Sequence, residues 1–131
     1  MTLKEAAVRY YIEENYNCSE SILRAANDVY ELGLTEREFK LLAPYGAGCC
    51  VGSLCGAVAG GVSTIGALRT EDKWRGSASA KLTKTFMELC RERMGSELCK
   101  DIKSNLNSPA IRCQKVIEIT ADTLEEVLAS R

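Results

Sequence analysis

Seven thiols are the most reactive side chains of this 131-residue chain, and three of them fall in the stretch CCVGSLCGAVAGG, residues 49 to 61. Cysteine sulfur can ligate a soft metal, exchange disulfides, or pack as a small buried hydrophobe. There is no histidine. Ser-His and Cys-His catalytic pairs, and any histidine metal ligand, are therefore excluded. No Cys-x-x-Cys occurs either, so a zinc ribbon, a zinc finger or a thioredoxin-type pair has no support. No lysine follows the glycines and no strand precedes them, which argues against a nucleotide loop.

The elements that must position these thiols read as helices from end to end. Leu3 to Glu14 shows the 3-4 spacing of apolar residues. Asn17, with Glu20 three residues on, predicts the start of a second helix that stops at Gly33. Thr35 predicts a short third helix to about Ala43, ended by Pro44 and the Gly46/Gly48 pair. Ser53 caps a fourth from Leu54 to about Leu68. A fifth runs from about Asp72 to Met94 with Gly95 as its stop. Ser96 caps a short sixth over residues 97 to 103, and Ser108-Pro109 opens the last, with proline at N1. The expected fold is all-α: a compact bundle of six or seven helices with a central glycine-rich helix, in one domain spanning residues 1–131.

On these boundaries four thiols lie at or near helix starts. Cys18 is N1 after Asn17, Cys55 is N2 after Ser53 and Cys99 is N3 after Ser96. Cys113 comes one turn further, about N5 after Ser108. Partial positive charge and unpaired N–H groups at a helix start stabilise a thiolate, which prepares a reactive or metal-binding sulfur. Cys90 reads as core, mid-helix between Phe86 and Met94. Adjacent Cys49 and Cys50 read as reduced loop thiols or spare ligands. The four helix-start thiols stand 37, 44 and 14 residues apart, so they can meet only through the tertiary fold.

Composition narrows the partners. Seventeen Lys and Arg against 18 Asp and Glu give a net charge of −1, which leaves no electrostatic footprint for nucleic acid or an anionic membrane. The uncharged run Leu41–Leu68 is long enough to span a bilayer, but Pro44 and seven glycines divide it and dilute its hydrophobicity. Gly56 and Gly60 instead form a stripe that lets another backbone approach, within the chain or in a homo-oligomer. The first residues carry charge from position 4 on and lack a signal-peptide apolar stretch. A reducing cytoplasm is expected, where seven thiols read as metal ligands or redox groups rather than structural disulfides.

The segments Asn17-Cys18-Ser19-Glu20-Ser21, Cys55-Gly56-Ala57-Val58-Ala59-Gly60 and Gly95-Ser96-Glu97-Leu98-Cys99, followed by Cys113, carry a resemblance across about residues 3 to 128. In that order they resemble small bacterial and archaeal proteins named for a C-GCAxxG-C-C pattern and described as redox-active. The resemblance implies that Cys18, Cys55, Cys99 and Cys113 are the family's four cysteines, with Gly56, Ala57 and Gly60 completing the cofactor-side motif. Cys49, Cys50 and Cys90 lie outside the pattern. The extra Cys49-Cys50 pair leaves the number of ligands open.

Three functions follow. The first is electron transfer through an iron–sulfur cluster or other metal, with the four motif cysteines as thiolate ligands. Gly56 and Gly60 would then let backbone N–H groups reach the inorganic sulfurs. The second is thiol–disulfide exchange between close cysteine pairs with a redox partner, with no cofactor. The third is a helical binding module whose thiols are inert. Four sulfurs around one point favour the metal, close pairs favour exchange, and dispersal favours the module.

Overall fold

The computed structural model describes residues 1–129. Among them are seven α-helices and no strand: α1 (Leu3–Ile12), α2 (Cys18–Tyr30), α3 (Glu36–Leu42), α4 (Gly56–Arg69), α5 (Ser79–Met94), α6 (Cys99–Leu106) and α7 (Gln114–Ala129). None is long and apolar enough to cross a membrane. The all-α expectation holds, at the upper of the two helix numbers.

Helix starts follow side-chain chemistry. Thr2 and Glu5 form a reciprocal capping box on α1, and Asn17 and Glu20 form one on α2. Four starts differ from the sequence expectation, each for a visible reason. The long fifth helix does not begin near Asp72, because Gly76 sits at φ +79 and Trp74 accepts a turn hydrogen bond from the Ser77 N–H at 3.1 Å. Left-handed backbone cannot continue a helix. Ser108-Pro109 does not open α7. Instead Ser108 and Arg112 exchange backbone hydrogen bonds of 3.1 and 2.6 Å across a tight turn, with Arg112 at φ +53. Leu54 and Leu98 pair as an isolated antiparallel bridge. That keeps both segments extended, so α4 starts at Gly56 and α6 at Cys99, later than Ser53 and Ser96 suggested.

The core draws on six helices: Leu3 and Ala7 of α1, Ile22 and Ala26 of α2, Val58 and Ile65 of α4, Phe86 of α5, Ile102 of α6, and Ile117 and Leu124 of α7. α4 packs against α2, α5 and α7. Its glycines are used inside the chain. A Cβ on Gly60 would lie 2.9 Å from the Ser19 carbonyl oxygen, and one on Gly61 would lie 2.4 Å from Phe86 Cζ. The stripe thus admits α2 on one side and the Phe86 ring on the other.

Candidate functional site

Each motif thiol is fixed by a local device. Asn17 Oδ1 accepts from the Glu20 N–H at 2.9 Å and from Ser19 Oγ at 3.0 Å, while its Nδ2 donates to the Ala43 carbonyl at 2.8 Å. Cys18 is therefore held as the first residue of α2, tied to the 3₁₀ turn Ala43–Tyr45. The Leu54–Leu98 bridge sets the next two thiols together. The Cys55 N–H donates to the Glu97 carbonyl at 2.9 Å and the Cys99 N–H to the Ser53 carbonyl at 2.6 Å. Cys55 is the N-cap of α4 and Cys99 the first residue of α6. Cys113 immediately precedes α7. Its N–H donates to Tyr11 Oη at 3.2 Å, and its Sγ accepts from Asn107 Nδ2 at 3.1 Å.

These four helix starts meet at one cavity of about 290 Å³, lined by Cys18, Cys55, Cys99 and Cys113 together. Glycine is what admits the sulfurs. A Cβ on Gly56 would lie 2.4 Å from Cys18 Sγ, and one on Gly48 would lie 2.6 Å from Cys99 Cβ. Beside the cavity the chain turns left-handed through four consecutive residues, Ala47, Gly48, Cys49 and Cys50, at φ between 55 and 66. Three of the four are not glycine, so this turn carries backbone strain of about 1–2 kcal/mol per residue. Ala47 lines the cavity.

Burial, not the helix starts, sets the electrostatics. Burial pushes the Cys55 thiol up to about 12, against the pull of the Val58 and Ala57 N–H groups. Cys18 is likewise raised by burial and opposed by the Ala47 N–H, and Cys99 is raised by burial and opposed by Lys103. The expectation that helix starts ready these sulfurs as thiolates is thus corrected for Cys18, Cys55 and Cys99: desolvation of the charged form wins. The sulfurs also feel one another. Cys113 and Cys99 raise Cys18, and Cys18 and Cys99 raise Cys55.

Of the residues singled out in the sequence, all four motif cysteines and Gly56 border the cavity. Ala57 is fully buried behind Cys55, and Gly60 faces Ser19 and Ile22 a turn away. Cys90 is fully buried in the core as read, and burial pushes it up to about 12. Cys49 and Cys50 are exposed, and all seven thiols are free. Among the described residues, no three His, Cys, Asp or Glu side chains are close enough to share a single metal ion. Sequence reading did not single out Tyr11, Asn15, Lys103 and Arg112, which also line the cavity. Two of them had a signal: Arg112 adjoins Cys113, and Lys103 lies one helical turn after Cys99.

An all-helical chain that gathers four separated thiols at one cavity defines a class of cysteine-site protein. Residues 16–127 match the model of the family described as "Putative redox-active protein (C_GCAxxG_C_C)", and the chain belongs to that family. No curated protein and no solved structure matches it.

Proposed function

We propose that the protein carries electrons in a reducing cytoplasm through an iron–sulfur cluster held by Cys18, Cys55, Cys99 and Cys113, exchanging them with a redox partner. The observation that carries this reading is convergence: four thiols from four helix starts border one cavity. The donor set is all sulfur, which suits iron–sulfur or zinc. A single tetrahedral zinc needs its sulfurs at about 2.3 Å from one point. Among the described residues no three His, Cys, Asp or Glu side chains are grouped to hold one ion, and the cavity that the thiols border is about 290 Å³. A cavity of that size has room for a group of several atoms.

When bound, such a cluster accepts and returns single electrons. The chain's own residues prepare the site. Gly56 leaves room for the Cys18 sulfur. The N–H groups of Ala47 and Ser19 act on Cys18, and those of Val58 and Ala57 on Cys55, each favouring the thiolate. Asn107 donates to the Cys113 sulfur. Hydrogen bonds to ligand sulfur raise a cluster's potential. Because burial holds three of the thiols protonated in the metal-free chain, loading releases protons. Gly60 contributes by letting α2 approach rather than by touching the group.

One observation favours a second reading, dithiol–disulfide exchange: the Leu54–Leu98 bridge sets Cys55 beside Cys99. Burial opposes it, since exchange needs a thiolate and both thiols are pushed up. The inert-module reading is opposed by convergence itself. The test is protein purified without oxygen, assayed for iron and acid-labile sulfide, with each motif cysteine changed to serine in turn. Stoichiometric iron and sulfide, lost in the four variants, supports the cluster. A metal-free protein that loses two thiols on mild oxidation would replace it with exchange.

A further inference from the structure

The cavity has a second chemistry besides its sulfur. Lys103 and Arg112 line it, and no described carboxylate does. Neither cation makes a salt bridge with any described residue, although Lys4, Arg9, Arg24, Arg91 and Arg93 all do. Other cations, Arg37 and Arg69 among them, also lack a salt bridge among the described residues; what marks Lys103 and Arg112 is that both line one cavity with no described carboxylate. Both are exposed, at its mouth.

Arg112 is also held in place. Its Nη2 donates to the Tyr11 carbonyl at 3.2 Å, and its guanidinium carbon stacks 4.5 Å from the Tyr11 ring centroid. The φ of +53 at Arg112, enforced by the Ser108–Arg112 turn, fixes the backbone that aims it. Tyr11 itself is a buried tyrosine that borders the cavity. Its Oη accepts the Cys113 N–H at 3.2 Å and donates to no described residue. Buried hydroxyl groups ordinarily use their proton. This one has its acceptor side occupied by the backbone of a motif cysteine and its donor side free in the cavity.

We infer that Tyr11 Oη–H, the Arg112 guanidinium and the Lys103 ammonium form a binding site for a small oxygen-donor anion, an inorganic oxyanion or the carboxylate of a small organic acid, at the mouth of the cavity that the four thiols border. The site names an anion bound beside the proposed redox centre, and so rests on this cavity being the working site, but not on its metal. A planar guanidinium and a point-charge ammonium with one neutral donor match an anion's several oxygens. The cation pair also draws anions toward the cavity, in a manner that weakens with salt.

The experiment is titration of the full-length, thiol-reduced, isotopically labelled chain with inorganic phosphate and, separately, with acetate at constant ionic strength, followed by NMR. Iron is assayed on the same samples. Saturable shifts at Tyr11, Lys103 and Arg112 are expected, with binding at least tenfold weaker in K103Q/R112Q and at least threefold weaker in Tyr11→Phe. Lys73→Gln, in the remote α4–α5 loop, should bind as the parent does. Tighter phosphate binding would mark an inorganic oxyanion, and tighter acetate binding a carboxylate. Failure of both anions to saturate, or undiminished binding in the double variant, would overturn the site. The iron assay reports on the cluster independently of either result.

Discussion

Gly56 offers the sharpest perturbation. A methyl group there lies 2.4 Å from Cys18 Sγ, 2.9 Å from the Tyr45 carbonyl oxygen and 3.3 Å from Gly46 Cα. Carbon contacts prefer about 3.5–4.0 Å, so the sulfur must retreat by more than about 1 Å or α4 must shift. The Tyr45 and Gly46 contacts are backbone and cannot move by changing a rotamer. Overpacking of this kind costs about 1–3 kcal/mol. Alanine returns about 1 kcal/mol over glycine in a helix interior and less at the first position, where Gly56 sits. The net expectation for Gly56→Ala is a loss of about 1–2 kcal/mol, read as a lower urea midpoint in the metal-free, reduced protein. Iron per chain should fall as well, because Cys18 is displaced. Gly66→Ala is the control on the same helix. Its Cβ meets nothing within 4 Å, so it should stabilise by about 0.5–1 kcal/mol and leave iron unchanged. A Gly56→Ala protein as stable as the parent, with full iron, would refute the close-contact reasoning.

Asn17→Ala removes the side-chain half of the α2 capping box and the tie to Ala43, leaving the residue-17 N–H on Glu20, and should cost about 1–2 kcal/mol by urea unfolding. Iron retention should drop with it, since the same cap holds Cys18. The double variant Cys49→Ser/Cys50→Ser should keep full iron, because both thiols are exposed. In the parent these two should be alkylated first, as peptide mapping can show. Cys90 carries the clearest pH effect. Burial lifts its thiol from 9.0 to about 12, so the fold favours the protonated form. Its stability contribution is intact below pH 9 and lost as pH rises from about 9 towards 12, at up to about 1.4 kcal/mol per pH unit. Urea midpoints of metal-free protein at pH 8 and pH 10 should therefore diverge, and the divergence should shrink in Cys90→Ala.

The sequence made some of this legible and hid the rest, for physical reasons. Start signals written in one residue and its neighbour three along, such as Asn17 with Glu20, placed the start of α2 to the residue. Gly95, left-handed at φ +79, marked the end of α5 as read. Starts governed by pairing with a distant segment were misplaced. Nothing in Ser53 or Ser96 announces that Leu54 and Leu98 will bridge across more than 40 residues. Ser108-Pro109 reads equally as a helix start or a turn, and the turn wins because Arg112 pairs back to Ser108. The left-handed run Ala47–Cys50 was invisible because two cysteines and an alanine are poor candidates for positive φ. The four thiols were found through their proximity to helix starts. Their ionisation was misjudged, because burial is a tertiary property and outweighs the local field. Tyr11 and Arg112 escaped notice because they come from opposite ends of the chain and meet only in the fold.

The most direct test of the four-cysteine cluster is iron K-edge X-ray absorption on protein purified and kept without oxygen. The account expects a first shell of sulfur alone, a second shell of iron, and loss of both in the Cys55→Ser variant. A nitrogen or oxygen first shell, an isolated metal with no second iron, or no iron at all would contradict it.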